Sequence, residues 1–453
     1  MRVAIIGTGY VGLTTGVCLA FMGHTVSCLD SDEAKIKALR EGKIPIYEPF
    51  LEEVFHEALP QLNFTSSYSE AIPEAEVVFI AVGTPPTPSG APNLEYLSQA
   101  AKSIGQHITR DFVVVVNKST VPIGSGNWVD SLLREAIAGR TDKSGTLGFA
   151  VASNPEFLRE GSALHDSLYP DRIVIGADAP RALEVLYSLY RPIVDQTFTP
   201  PNYLPRPETV GAVPLLSTDL ASAELIKYAA NAFLALKISF INEIGLVAER
   251  VGANIGEVGR GIGLDSRIGP RFLSAGIGWG GSCFGKDTAA LIATAGEYGL
   301  HLPIVEAAKK INSRQRDRVV EKLLNELKIL KGRTVGLLGL AFKPNTDDLR
   351  EAPAIEIAQK LIDRGVRVKA HDPIAMEKFE QSYGKMGVVL CQSAEQVVED
   401  CDAVVLVTEW NDYRDLDWEA LAKKMRSALI LDGRHTLDKD KLMRAGMRYV
   451  SIS

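Results

Sequence analysis

Val3 to Ile6 is a short run without a polar residue, the pattern of a strand buried on both faces of a parallel sheet. A glycine turn follows, then an apolar stretch from Val11 to Met22 that predicts a helix, then a second strand over Thr25 to Asp30. Val77 to Val82, Phe112 to Asn117, Phe149 to Ser153 and Ile173 to Ile175 repeat the buried-strand pattern, and helical patterns separate several of them. This alternation predicts a doubly wound α/β domain. Pro200, Pro201, Pro205, Pro207 and Pro214 interrupt it, so 196–216 reads as a loop. Thr218 or Asp219 can then cap a helix running to about Val251. Roughly 30 residues is long against a mean of about 11–12, which suggests a spine between domains or a dimer interface.

The alternation restarts at Arg333, with strands expected at Thr334 to Leu338, Val366 to Ala370, Ala403 to Val407 and Ala428 to Leu431, and a helix over Ala354 to Asp363. This second α/β region lacks the glycine fingerprint of the first. The predicted class is α/β, two doubly wound Rossmann-like domains joined by a long central helix, with boundaries at 1–200, 201–315 and 316–453.

At 453 residues the chain is too long for one ordinary core. A hydrophobic content of 46% and a charged content of 23% are those of a globular protein. The net charge of −7, with no dense Lys/Arg block, argues against nucleic acid while leaving room for a local basic pocket. No run reads as a membrane span, and Gly7, Thr8, Gly9 and Tyr10 break the apolar N-terminus, so no membrane association is expected. The five cysteines are scattered without a C-x-x-C pair, which suggests neither a disulfide framework nor a metal site. A cytoplasmic protein is expected.

Gly7, Gly9 and Gly12 form G-x-G-x-x-G directly after a strand and at the start of a helix. The first permits the tight turn, the second lets backbone approach a pyrophosphate, and the third lets helix pack on strand. The helix N-terminus offers free N–H groups and a partial positive charge to the phosphates. Asp30 ends the second strand at about the 20-residue interval where an acid accepts a ribose hydroxyl and repels a 2′-phosphate, so NAD is favoured over NADP.

The second cluster, Gly278-Trp279-Gly280-Gly281-Ser282-Cys283-Phe284-Gly285-Lys286-Asp287, places one cysteine among glycines, which argues against a packed core position. A thiolate is a strong nucleophile whose pKa a neighbouring lysine depresses. A helix beginning near Phe284 brings Asp287 beneath the sulfur. The other reading of a lone cysteine, a small buried hydrophobe, is accepted for Cys18, Cys28, Cys391 and Cys401, which sit in apolar contexts. Lys227 and Asn231 share one face of the long helix in apolar surroundings. Lys227 is either a charge for an alkoxide, a base, or a snorkelling surface lysine. Ser153 to Gly161 and Lys118 to Pro122 leave strand ends, where open α/β sheets bind ligands; Glu156 and Glu160 lie on the first of these segments.

Taken in order, Gly7 to Gly12, Ile46-Tyr47-Glu48-Pro49, Val82 to Pro85, Ser119 to Pro122, Asn154 to Gly161, Lys227 to Asn231, Arg267 to Gly269, Gly280 to Asp287, Ala341 to Pro344 and Asp432 to Arg434 resemble the UDP-glucose 6-dehydrogenases of the UDP-glucose/GDP-mannose dehydrogenase family over nearly the whole chain. The resemblance implies a four-electron oxidation of UDP-glucose with two NAD⁺ to UDP-glucuronate, through a thiohemiacetal and a thioester on Cys283. It implies that Lys227 and Asn231 stabilise oxyanions, that Asp287 positions or activates a water with Lys227, and that Glu156 is the base for thioester hydrolysis, with Thr120 ordering water. For NAD it implies Gly7, Gly9, Tyr10, Val11, Gly12, Asp30, Lys35, Thr84, Thr120, Glu160, Lys286 and Arg350.

For the sugar nucleotide the resemblance implies Glu156, Phe157, Leu158, Arg159, Glu160, Lys227, Asn231, Phe272, Gly276, Cys283, Phe342, Lys343 and Arg434. A homodimer is implied, with the spine helix at its core and Arg267 reaching the partner's site; the first domain would hold NAD and the last the uridine diphosphate. The proline-rich stretch is longer than the family pattern leads one to expect. Related enzymes acting on GDP-mannose or a UDP-N-acetylhexosamine use the same thioester logic and remain the nearest alternatives. A single-oxidation hydroxyacid dehydrogenase would not need the cysteine, and a silent NAD-binding protein would not need every candidate catalytic position filled.

Overall fold

The computed structural model describes residues 1–87, 90–140 and 148–452 and divides into two compact units. The first comprises Met1–Ala230 with Ala289–Tyr298, the second Asn231–Thr288 with Gly299–Ser453.

The first unit is built on strands β1 (Arg2–Ile6), β2 (Thr25–Leu29), β3 (Leu62–Thr65), β4 (Val77–Ile80), β5 (Phe112–Asn117), β6 (Gly148–Ser153), β7 (Ile173–Gly176) and β8 (Leu215–Thr218). They lie in the order β3-β2-β1-β4-β5-β6-β7-β8, parallel except for the β6–β7 contact. The order reverses between β1 and β4, the switch point at which doubly wound sheets bind ligands. The apolar runs are strands because both faces are covered. Alternate residues of β5, Val114 and Val116, enter one core layer with Leu13 and Leu186, while Val113 and Val115 enter the other with Ile104 and Val129. The 196–216 loop ends sooner than the sequence suggests, because Leu215 and Leu216 already pair with Ile173 and Val174 in the edge strand β8. A four-residue edge strand directly after Pro214 carries too little pattern to be read. The rest of the segment packs on the unit: Tyr203 stacks on Phe50, and Tyr169 Oη donates to Leu204 O at 2.8 Å.

The second unit repeats the plan with β9 (Thr334–Leu338), β10 (Arg367–His371), β11 (Val389–Leu390), β12 (Ala403–Leu406), β13 (Leu429–Asp432) and β14 (Arg448–Ser451), all parallel, in the order β11-β10-β9-β12-β13-β14. Gly339 after β9 has φ +99°, as Gly7 after β1 has φ +97°, and Asp372 follows β10 as Asp30 follows β2. The two turns differ in what the acid does. Asp372 is buried and accepts from Leu340 N, Ala341 N and Trp410 Nε1 on one oxygen and from Ile374 N and Ala375 N on the other. A protein carboxylate thus ties down two successive amides of this turn, where Asp30 takes one in the first.

Leu220–Val251 is one helix of 32 residues, and Asp219 caps it by accepting from Ser222 N at 2.8 Å. Contrary to the sequence reading, this helix is long and apolar enough to cross a membrane by length and composition. Its buried polar groups instead mark an element of a protein core: Glu224, Lys227, Ser239 and Asn242 are all under 5% exposed, and each is hydrogen-bonded to protein.

Candidate active site

The glycine turn leaves its helix ready for an anion. Gly9 is the N-cap of the helix Tyr10–Phe21, no side chain caps it, and a Cβ at Gly9 would meet nothing within 4 Å. The opening N–H groups therefore stay available. Gly12 shows the opposite need, since a Cβ there would lie 1.9 Å from Gly7 O. Val11 is half-buried in the same turn. Asp30 accepts from Thr8 N at 2.9 Å and Thr8 Oγ1 at 2.7 Å and pairs with Lys35 at 3.0 Å. Burial works against its charge, but these hydrogen bonds, with one from Asp32 N, hold its carboxyl below the usual range. Thr84 Oγ1 donates to Thr120 O at 2.9 Å, tying the loops after β4 and β5 together. These residues fit a dinucleotide.

Beyond β6 the chain enters Asn154 to Gly161. Lys227, 4% exposed, donates to Glu156 Oε1 at 2.9 Å and to Glu156 O at 2.6 Å, and Glu156 Oε2 accepts from Leu158 N. The open alternatives for Lys227 are thereby narrowed: it is a buried, paired lysine and not a snorkelling one. Burial pushes the Glu156 carboxyl up, and the Lys227 charge and hydrogen bond, with the Leu158 N–H and the Lys118 charge, together outweigh this and leave it lowered. Phe157 is covered by the Arg172 guanidinium, 3.7 Å from its ring centre. Arg159 is exposed and held bidentately by Asp166, at 2.9 and 2.6 Å. Glu160 is half-buried.

In the second unit Cys283 stands at the entrance to the helix Phe284–Glu297, its carbonyl accepting from Asp287 N at 2.8 Å. It is half-buried, with Ser282 Oγ 3.8 Å from the sulfur. The helix N-terminus favours a thiolate there. The other four cysteines are buried, and burial pushes the thiols of Cys18, Cys28 and Cys401 up to about 12. The glycines around Cys283 are required by close packing. Gly281 has φ +85°, and a Cβ on it would meet the Phe342 ring at 2.7 Å. Asp287, 1% exposed, accepts from Asn231 Nδ2 at 2.6 Å, and Lys286 Nζ sits 2.9 Å from its other oxygen, off the hydrogen-bonding direction.

Several of the remaining candidates of this unit adjoin the same glycines. Arg434 donates to Gly278 O and Val407 O and pairs with Glu409; Lys343 lies over the Phe342 ring. Arg350 is paired with Asp348, and its carbonyl accepts from Gly281 N. Gly276 is buried, its N–H taken by Asn242 and its carbonyl by Gln315. Phe272 holds a left-handed φ of +65° and meets Phe284 edge-on. Arg267 is 87% exposed and pairs locally with Asp265.

Sequence reasoning gave Glu48 no role beyond its motif. It is 6% exposed, takes the Tyr10 hydroxyl, and accepts from Gly161 N at 2.7 Å and Ala163 N at 2.6 Å. It thereby joins the glycine-turn helix to the end of the Asn154–Gly161 segment. Its contacts lie 38 residues away at Tyr10 and over a hundred at Gly161 and Ala163, so only the motif Ile46-Tyr47-Glu48-Pro49 hinted at it.

Three domain models of one family match in order: the NAD binding domain over residues 1–194, the central domain over 221–314 and the UDP binding domain over 336–439. The chain belongs to the UDP-glucose/GDP-mannose dehydrogenase family. It is 44% identical over its full length to UDP-glucose 6-dehydrogenase YwqF of Bacillus subtilis, covering 97% of that protein. It is 43% identical to the UDP-glucose 6-dehydrogenase of Rhizobium meliloti, covering 99% of it. Among solved structures of the family, a UDP-glucose dehydrogenase from Pyrobaculum islandicum superposes with a TM-score of 0.88 at 40% identity, covering 99% of this chain and 97% of that one. A UDP-D-ManNAc dehydrogenase from Pyrococcus horikoshii does so with 0.83 at 27%, covering 100% and 99%. Family membership makes the chain a dehydrogenase and NAD the cofactor of the glycine turn.

Proposed function

We propose that the chain oxidises UDP-glucose at C6 to UDP-glucuronate, by UDP-glucose + 2 NAD⁺ + H₂O → UDP-glucuronate + 2 NADH + 3 H⁺. The observation that carries this reading is Cys283, a half-buried thiol at a helix N-terminus while the other four are sealed in the core. The names of the full-length relatives support UDP-glucose over GDP-mannose or a UDP-N-acetylhexosamine. NAD⁺ supplies the hydride acceptor for both oxidations.

In this reading the C6 aldehyde left by the first oxidation is attacked by the Cys283 thiolate, giving a thiohemiacetal, and the second oxidation leaves a thioester. Lys227 and Asn231 donate to the oxyanions, and Asp287 fixes the Asn231 amide and positions water. Glu156 removes a proton from water as the base for thioester hydrolysis, with Thr120 ordering that water. Its resting partner, Lys227, depresses its basicity. When Lys227 turns to an oxyanion, its charge no longer holds the Glu156 pKa down, so the base strengthens at the step that needs it. Gly7, Gly9, Tyr10, Val11, Gly12, Asp30, Lys35, Thr84, Glu160, Lys286 and Arg350 serve the cofactor. Phe157, Leu158, Arg159, Phe272, Gly276, Phe342, Lys343 and Arg434 serve the sugar nucleotide. For Arg159 and Arg350 this requires sharing or leaving Asp166 and Asp348.

The working form in this reading is a homodimer. Phe233, Phe240 and Val247 recur every seven residues on the long helix and are 60, 46 and 57% exposed, a seam that a second copy would cover. Arg267 is exposed enough to reach a partner's site. The free cysteines suit a reducing compartment such as the cytoplasm. Denaturing mass spectrometry of enzyme quenched during turnover tests the chemistry: a UDP-glucuronyl adduct on the Cys283 peptide is expected, and an unmodified Cys283 under saturating substrate would overturn it. Phe240→Asp should convert the dimer to monomer by light scattering, and an unchanged mass would remove the seam.

A further inference from the structure

Lys118 follows β5 on the face that carries Val114 and Val116 into the core, and it is 9% exposed. Its Nζ donates to Asn154 Oδ1 at 2.9 Å, an oxygen that also accepts from Tyr190 Oη at 2.6 Å. Asn154 Nδ2 donates to Val174 O, so this amide cannot turn away. Two residues beyond Asn154 stands Glu156, paired with Lys227. The buried cluster therefore holds two lysines against one carboxylate.

We infer that Lys118 is a positioning residue for thioester hydrolysis: it holds Glu156 ionised when Lys227 leaves it for the substrate oxyanion. This rests on the proposed role of Glu156 as base. In the hydrolytic step a water O–H bond breaks, its proton passes to the Glu156 carboxylate, the hydroxide oxygen bonds to the thioester carbon, and the C–S bond breaks to return the Cys283 thiolate. A Glu156 left alone in this burial would take a proton beforehand and could not accept one from water. Lys118, fixed through Asn154, supplies a positive charge that does not depend on Lys227. The charged and titratable groups facing Lys118 are Glu156 from the loop after β6, Lys227 from the long helix, Cys18 from the glycine-turn helix and Tyr190 from the helix Pro180–Val194. The thiol and the phenol are both pushed up by burial and stay neutral. Burial draws Lys118 itself down to about 8, against the pull of Glu156, so its charge is present at neutral pH.

The test separates the steps in wild type, Lys118→Met and Lys118→Arg. Single-turnover NADH formation reads the oxidations, and the decay of the trapped acyl-enzyme across pH 5.5–9 reads hydrolysis. Lys118→Met should keep the NADH burst, accumulate acyl-enzyme, and move the acid limb of hydrolysis up by about one unit, roughly tenfold in rate at pH values on that limb. Lys118→Arg should restore the wild-type limb. An unmoved limb in Lys118→Met, or a burst and a hydrolysis reduced by the same factor, would overturn the inference. If wild type forms no acyl-enzyme, the proposed function fails and not this assignment alone. If Lys118→Met does not fold, Tyr190→Phe and Asn154→Ala, which alter the anchor of Lys118 but not its charge, carry the same measurement: a limb displaced in Asn154→Ala supports the inference and an unmoved limb overturns it.

Discussion

Removing Lys227 should destabilise the first unit far more than removing both members of its ion pair. Lys227 and Glu156 meet at 2.9 Å with 4 and 7% exposure, so Lys227→Met leaves a carboxylate in a place where water cannot solvate it. Breaking a buried pair in this way costs about 3–5 kcal/mol. In a unit of this size each kcal/mol moves Tm by about 2–4 °C, so a fall of roughly 6–20 °C is expected at pH 7.5. Lys227→Met/Glu156→Gln removes the stranded charge and should recover more than half of that loss. The pH response carries the same logic. In the wild type the Glu156 carboxyl is held low, so its stabilisation is present above the usual carboxylate range and is lost as pH falls through its lowered value. In Lys227→Met, burial is opposed only by the Leu158 N–H and the Lys118 charge, and the carboxyl rises from its wild-type value. The mutant then gains stability relative to wild type as pH falls from 7.5 to 5 and Glu156 takes up a proton. Thermal unfolding of wild type, Lys227→Met, Glu156→Gln and the double mutant at the two pH values decides the matter. Additive losses, or a Lys227→Met protein within 2 °C of wild type, would refute the buried-pair reasoning.

Glu224 accepts from Gly124 N and Gly126 N, and burial, opposed by those two bonds, pushes its carboxyl up to about 7. Stability from this group is therefore complete below the usual carboxylate range and lost as pH rises through about 7, by roughly 3 kcal/mol. Glu224→Gln should flatten that part of the Tm–pH curve, and an unchanged slope would count against it. Gly281→Ala puts a Cβ 2.7 Å from the Phe342 ring at φ +85°. Left-handed strain and overpacking together predict about 2–4 kcal/mol and a matching fall in the Tm of the second unit. Slower alkylation of Cys283 by iodoacetamide should accompany it, and a protein of wild-type Tm and thiol reactivity would show the glycine to be dispensable.

How much of this could be read from the chain follows from where each interaction lives. The glycine turn, Asp30 and the buried strands are local patterns, and they stand where the sequence placed them. Cys283 stood out because glycines surround it, and the structure supplies the reason in Phe342 pressing on Gly281. Lys227 and Asn231 share a helix face, but their partners, Glu156 and Asp287, lie 71 and 56 residues away and could not be assigned by spacing. The clamp at Glu48 and the anchor of Lys118 on Asn154 are of the same long-range kind. In the sequence Arg159 and Arg350 suggest ligand roles only, and their partners Asp166 and Asp348 come from the structure. The edge strand β8 escaped because Leu215–Thr218 offers four residues, none of them buried and with no alternation of burial.

The most direct test of the central claim is the NADH formed per UDP-glucose consumed, by wild type and by Cys283→Ser, with the product identified by mass. The account predicts two NADH and UDP-glucuronate from the wild type, and a mutant that stalls with the sugar still attached or short of the acid. One NADH per substrate, or a Cys283→Ser protein that completes both oxidations at an undiminished rate, would contradict it.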